Sequence, residues 1–215
     1  MAEAAARAVD TRRLIIAAAS RRLLADGYAG LSTRKVAAEA GVPLSQLHYY
    51  FGSKQGLILA LFSEENQRRL ERQRSMYGED LALWRRYERA CDFLEDDLDS
   101  GYVRVLQEMI AAGWSNTEIR DAVRELLGGW FGLLGEVARE AERRHGRLGP
   151  FTAEETATIV CTAFLGSEAM LLLGFDREIA PIRSALRRLG VLIRELEEGP
   201  ARPGGTDDAG LPTPA

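Results

Sequence analysis

Cys91 and Cys161 are the only two cysteines among 215 residues, and they lie far apart. So few rule out a disulfide framework and fit a reducing compartment, with each thiol buried inside a helical pattern. Histidine is equally scarce, with His48 and His145 alone. No His/Cys cluster has metal-ligand spacing, so no metal site is expected. A Gly-rich phosphate loop and a nucleophile elbow are missing too, which leaves no enzyme chemistry and no cofactor to propose. No apolar run approaches the ~20 residues needed to cross a bilayer. The opening MAEAAARAVDTRR has no signal-peptide hydrophobic core, and its acidic residues are unlike a transit peptide. A cytoplasmic protein with no membrane partner is the expectation. Strand-like alternation and internal repeats are also lacking.

The chain does have length and apolar content enough for a real core, with 46% hydrophobic and 28% charged residues. Its net charge of −4 hides an asymmetry. Residues 1–54 carry eight Lys and Arg against four Asp and Glu, whereas the remainder carries twenty against twenty-eight. A basic module joined to an acidic body fits a small nucleic-acid-binding head.

That head centres on TRKVAAEAGVPLSQLHYYFGSK, Thr33 to Lys54. Thr33 is a hydroxyl N-cap candidate, and Val36, Ala37 and Ala40 make one apolar face. Gly41 permits the left-handed end of one helix and Pro43 fits the first turn of the next. The spacing of Ala37, Gly41 and Leu47 is that of a helix-turn-helix, with alanine allowing close approach and glycine making the corner.

The same stretch resembles the DNA-binding region of TetR-family (tetracycline-repressor-like) transcriptional regulators. LHYYFGSKQGL, Leu47 to Leu57, is similar to that family's aromatic–aromatic–Phe–x–Ser/Asn–Lys–x–x–Leu signature, and the likeness covers roughly Thr11 to Phe62 in detail. His48 departs from it, standing where the family usually has tyrosine. The resemblance implies an all-α protein with an N-terminal three-helix helix-turn-helix DNA-binding domain, then a helical ligand-binding and dimerisation domain. It also implies a repressor that leaves its operator when a small hydrophobic or amphipathic effector binds.

Taken in order, residues 1–10 read as a flexible N-terminus, 11–56 as the DNA-binding domain, 57–198 as the body and 199–215 as a disordered tail rich in Pro, Gly and Asp. The first helix is expected from Thr11 to just before Gly27, with Ile15, Ala19 and Leu23 inward and Tyr28 plugging the turn. Ser53 is the N-cap of a long connecting helix that ends at Gly78. Further helices are expected over Leu81 to Leu98, Tyr102 to Ala112, Thr117 to Arg144, the segment after Thr152 up to Leu173, and Pro181 to Glu198. Thr152 and Glu155 have capping-box spacing. GGWFGLLG puts Gly128, Gly132 and Gly135 on one helix face, which calls for close approach of another helix, a ligand or a kink. The last two helices, apolar over much of their surface, suit a four-helix interface between two copies.

A recognition helix lays its first residues on base edges. Here these are Leu44 for a thymine methyl, Ser45 as donor or acceptor, and Gln46 for bidentate pairing with adenine. His48 is a candidate for a base or phosphate, and Tyr49, off the Leu47–Tyr50 stripe, for a phosphate. Thr33, Arg34 and Lys54 are the candidate phosphate clamps. The expected partners are double-stranded DNA with a near-palindromic operator, a second copy in a homodimer, and a small-molecule effector. For the effector the candidates are Trp84, Tyr87, Tyr102, Met109, Trp130, Phe131, Phe164, Ser167 and Glu168, with Gln107 and Glu108 as further polar residues in apolar runs. Glu168 must meet a ligand group or an internal partner, or pair across the dimer, because a lone buried carboxylate is costly. A helical scaffold or partner-binding protein without ligand-controlled DNA binding is the alternative.

Overall fold

Alanine has the highest helix propensity, and an Ala-rich N-terminus starts the first helix ahead of any hydroxyl cap. The computed structural model describes residues 2–146 and 149–198, without the side chains of 2–8, 29, 177 and 178. The expected disordered tail 199–215 lies outside the described residues, as does the middle of the loop after His145. Helix α1 spans Ala2–Gly30, so residues 2–10, expected as a flexible extension, are helical. It also passes its expected stop. Gly27 leaves the helical region at φ 70° and ψ 176°, and a last turn follows the kink.

Helices α2 (Thr33–Ala40) and α3 (Leu44–Phe51) form the helix-turn-helix. Ser32, extended at φ −123° and ψ 126°, holds the cap position of α2, so Thr33 is the first helical residue and not its N-cap. Pro43 likewise caps α3 from just outside it. Between them Gly41 sits at φ 67° and ψ 30°, a conformation that disfavours other L-residues by about 1–2 kcal/mol. The N–H groups of Gly41 and Val42 then donate to the Ala38 and Ala37 carbonyls at 3.2 and 3.0 Å. Val36, Ala37 and Leu47 lock the two helices together, at 0%, 3% and 0% exposure.

The Ser53 hydroxyl accepts the Gly56 N–H at 3.0 Å and starts α4, Lys54–Tyr77. The approach of α4 to the end of α3 requires glycine there: a Cβ on Gly56 would stand 2.2 Å from the Phe51 carbonyl oxygen. The expected division at 56/57 falls inside this helix. One core joins Ile15 and Leu23 of α1 with Leu57 and Phe62 of α4, and continues into Leu106, Met109 and Ile119. Each such buried side chain contributes about 1.5–3 kcal/mol. Head and body therefore share apolar contacts instead of meeting at a linker.

The body continues with α5 (Leu83–Asp99), α6 (Tyr102–Gly113), α7 (Thr117–His145), α8 (Ala153–Leu172), the single turn α9 (Phe175–Glu178) and α10 (Ile182–Glu198). Sequence patterning did not separate α9 from the connection after Gly174, since four residues carry no period. Asn116 caps α7 by accepting the Ile119 N–H at 3.1 Å. The Thr152–Glu155 capping box forms as expected, at 3.1 and 2.8 Å. α7 packs on α6 and α8, and α5 packs on α10.

Two expectations fail here. Among the described residues Gly128 and Gly132 face nothing within 4 Å, and Gly135 meets only the Arg139 side chain, so no described helix closes on this glycine row. The close approach belongs to Gly129, whose Cβ would lie 2.9 Å from Leu70 of α4. Second, α8 is long and apolar enough to cross a membrane by length and composition alone. Its apolar residues are interrupted by Thr, Ser and Gly more than by charge, so no unbroken run showed. Much of it is uncovered: Ile159, Leu172 and neighbouring Leu173 are 48%, 42% and 69% exposed, and Val191, Leu192 and Leu196 of α10 are 53–55% exposed.

Candidate DNA interface and body cavity

On α3 the side chains divide by face. Leu47 is fully buried, while Ser45, Gln46, His48 and Tyr49 are exposed, Tyr49 at 83%. Ser45, Gln46 and Tyr49 share one side at helical spacing and have donors and acceptors suited to base edges and phosphates. Leu44 is half-buried and packs against the head core, so part of its surface is taken. His48 Nδ1 lies 3.0 Å from the Gly52 carbonyl oxygen, which ties the ring to the end of its own helix. Tyr50 turns inward and meets Tyr49 edge-on, with ring centroids 5.2 Å apart.

Thr33 and Arg34 open α2, with Arg34 exposed, and Lys54 opens α4. The positive dipole ends of these helices add to the attraction for phosphate. The Lys54 ammonium lies 5.7 Å from the Tyr28 ring centroid. Three α1 arginines are engaged in ion pairs: Arg12 with Glu64, Arg21 with Glu39, and Arg22 with Asp26.

In the body, α4 to α8 enclose a cavity of about 100 Å³. Among the candidates, Tyr102, Trp130, Phe131, Phe164 and Glu168 line it. The other four do not. Met109 is wholly buried in the core shared with the head. Trp84 sits near the guanidinium groups of Arg85 and Arg194, at 5.0 and 5.1 Å. Tyr87 donates its hydroxyl to the Leu186 carbonyl at 2.9 Å, joining α5 to α10. Ser167 stands outside the wall. A second, apolar cavity of about 370 Å³ lies between α7, α8 and α10, with Tyr87 at its edge. Exposed Ile159, Leu192 and Leu196 contribute to it, so it opens onto the uncovered face of α8 and α10.

Polar groups that sequence reasoning missed organise the first cavity. Asn66, 4% exposed, accepts the Tyr102 hydroxyl at 3.0 Å and the Trp130 indole N–H at 2.8 Å, which orients both aromatic walls. Arg69 and Arg72 each donate to Asp97 at 2.9 Å. Their guanidinium groups also cover the Tyr102 and Phe93 rings, at 3.9 and 4.1 Å. Burial raises the Asp97 carboxyl above its ordinary range despite the two arginines. Gln73, 7% exposed, lines the cavity, and its side-chain oxygen has no hydrogen-bond partner among the described residues. The Gln107 amide donates to Glu168 at 3.2 Å and to the Leu165 carbonyl at 3.3 Å. Burial pushes the Glu168 carboxyl up to about 7, with the Gln107 bond opposing. Burial also pushes the thiols of Cys91 and Cys161 up to about 11, so neither is a thiolate near neutrality.

The family profile of bacterial regulatory proteins, tetR family, matches residues 15–61, from the core of α1 through both helices of the turn into α4. Residues 15–61 are thus a DNA-binding domain of the TetR family. The described residues are all-α, with this TetR-family helix-turn-helix in the N-terminal part and a helical domain after it. The fold of the chain is similar to a TetR transcription regulator from Haloarcula marismortui, at 19% identity and a TM-score of 0.71 over 86% of this chain and 96% of that one. It is also similar to the transcriptional regulator FadR from Bacillus subtilis in complex with stearoyl-CoA, at 18% identity and TM-score 0.62, covering 87% and 98%. A Saccharomonospora viridis regulator in complex with choline matches at 22% identity and TM-score 0.68, covering 86% and 95%. No curated protein matches the chain.

Proposed function

We propose that this regulator is a cytoplasmic homodimeric repressor that leaves a near-palindromic operator when a small hydrophobic or amphipathic effector enters the body. The outward face of α3 carries this reading: Ser45, Gln46 and Tyr49 are exposed on one side, while Leu47 behind them is fully buried. A helix held so firmly from behind can present its free face to a major groove. Ser45 and Gln46 read bases with His48 beside them, Leu44 contributes its exposed part, and Thr33, Arg34, Tyr49 and Lys54 hold phosphates. Residues 11–56 act as the DNA-binding unit and 57–198 as the sensing and dimerising one.

Dimerisation uses α8 and α10, whose uncovered Ile159, Leu172, Leu192 and Leu196 form more apolar surface than a lone protomer keeps in water. The two similar proteins solved with stearoyl-CoA and with choline support an effector in the body, although they do not tell which one. An effector acts only through unequal affinity for the DNA-bound and free conformations. It would do so by spreading the helices around the cavity, chiefly α4 and α6, which reach the head.

Fluorescence anisotropy on DNA from the protein's own promoter, over a salt series, tests the proposal. Sequence-selective binding with a steep salt dependence is expected. Absence of binding even at low salt would leave the helical-scaffold reading in its place. Sedimentation of the free protein as a monomer would remove the dimer.

A further inference from the structure

Among the described residues the wall of the 100 Å³ cavity contains two carboxyl groups, Asp97 and Glu168, and no Lys, Arg or His. Their situations differ. Asp97 is neutralised from outside the wall by Arg69 and Arg72, each at 2.9 Å. Glu168 is met by the neutral Gln107 amide at 3.2 Å, and forms no ion pair among the described residues. Nearby, Gln73 has a buried acceptor with no donor among the described residues. Aromatic faces of Tyr102, Trp130, Phe131 and Phe164 make up much of the remaining wall.

This composition discriminates between ligand charges. An anion would face Glu168 with no cationic side chain in the described wall to compensate. A neutral apolar molecule would leave Glu168 and Gln73 unmatched in a dry site. A cation supplies what is lacking, and aromatic faces attract it further. We infer that the cavity takes a small organic cation, an alkylammonium or quaternary ammonium, with Glu168 as counter-ion and the aromatic faces as its cage. The inference rests on the proposed role of the body as effector sensor, and it names the chemistry of that effector. The cavity volume, small beside those of drug-sized ligand sites, restricts the occupant to a compact molecule.

Binding of a cation is coupled to a proton. With its carboxyl pushed up to about 7, Glu168 is largely protonated at pH 6 and largely ionised at pH 8. Besides Asp97, the other titratable wall groups keep their protons across that interval. Asp97 of α5 is held by two arginines, Tyr77 of α4 and Tyr102 of α6 are raised well above neutrality by burial, and Cys161 of α8 titrates near 11. α7 contributes no titratable residue to the wall, and neither α9 nor α10 contributes any wall residue.

Calorimetry and tryptophan fluorescence on the full-length protein would compare choline with its uncharged carbon isostere, with butylamine and hexanoate as further probes. At pH 8 one of the cations should bind about tenfold tighter than the isostere, with affinity that falls and proton release that grows toward pH 6. Glu168→Gln should abolish the preference without lowering the melting temperature. An isostere that binds as well as choline, tighter binding of hexanoate, or no binding of either cation at millimolar concentration would each overturn the inference. Operator release is read separately. Cation binding without release keeps the cation site and removes its effector role; release by hexanoate with neither cation bound keeps an effector and removes the cation.

Discussion

The Glu108 carboxylate accepts the backbone N–H of Tyr28 at 2.6 Å, across 80 positions of sequence. Its neighbour Gln107 donates to Glu168 at the cavity, so two adjacent residues of α6 hold the head and the cavity wall. Arg104, a turn earlier on α6, donates to the carbonyls of Leu23 and Leu24 on α1. These bonds gather around the kink at Gly27, where the end of α1 is least constrained by its own ladder. Displacement of α6 therefore acts directly on the base of the helix-turn-helix. Glu108→Ala should accelerate hydrogen exchange at the Tyr28 amide and lower stability by about 1 kcal/mol, the net value of one part-buried hydrogen bond. Unchanged exchange at that amide would mean the bond does not persist in solution.

Gly56→Ala tests the junction of α3 with α4. The added Cβ would fall 2.2 Å from the Phe51 carbonyl oxygen, a backbone atom that cannot move without shifting the end of α3. Overpacking of this kind destabilises by about 1–3 kcal/mol. DNA affinity should fall together with the melting temperature. A variant as stable as the parent would show that the junction has slack.

Base reading and phosphate holding separate by salt. Gln46→Ala should lose about 1–3 kcal/mol of discrimination at one operator position, leaving the salt slope intact. Lys54→Ala should weaken binding evenly across sequences and reduce the slope by about 1. Equal loss on every sequence for Gln46→Ala would take that residue off the bases.

The head was legible because its signals are local. Gly41, Leu47 and the cap at Ser53 each act within a few residues, and spacing alone placed α2, α3 and the start of α4. Thr33 was misassigned as a cap because Ser32 beside it has the same chemistry, and only the backbone decides between them. The cavity was half legible: aromatic residues marked its walls, but Trp84 and Met109 looked no different in sequence from Trp130 and Phe131. A signal for Asn66 and Gln73 did exist. Phe62, Asn66, Leu70, Gln73 and Tyr77 form one helical stripe, and polar residues on an apolar stripe indicate buried hydrogen-bonding work. It went unread because the surrounding arginines made the segment look like a solvated face.

Arg86 illustrates the same point by its stability. At 4% exposure it donates to the Tyr77 and Leu81 carbonyls, both at 2.8 Å, and secures the end of α4 to α5. Arg86→Leu removes the donor for the buried Tyr77 carbonyl and for the half-buried Leu81 one, so denaturant melts should show a loss of about 1–3 kcal/mol. An unaltered midpoint would show that water replaces the guanidinium there.

Glu168 makes stability depend on pH in a direction opposite to that of a paired carboxylate. Its carboxyl is raised in the folded protein from 4.5 to about 7, chiefly by burial. Between those values the folded state holds a proton that the unfolded state has released. Unfolding therefore becomes easier as pH rises through this window, and the loss is complete above about 7. At pH 5 most of the favourable contribution remains, and Glu168→Gln should change little because the amide resembles the protonated acid. At pH 8 the same substitution removes a charge that burial penalises, so the ligand-free variant should be the more stable protein by up to ~3 kcal/mol. Chemical melts of parent and variant at the two pH values would measure the difference. Curves that stay parallel from pH 5 to pH 8 would show that Glu168 ionises freely, through water or a partner copy reaching it, and the cavity would then have no buried charge for a ligand to answer.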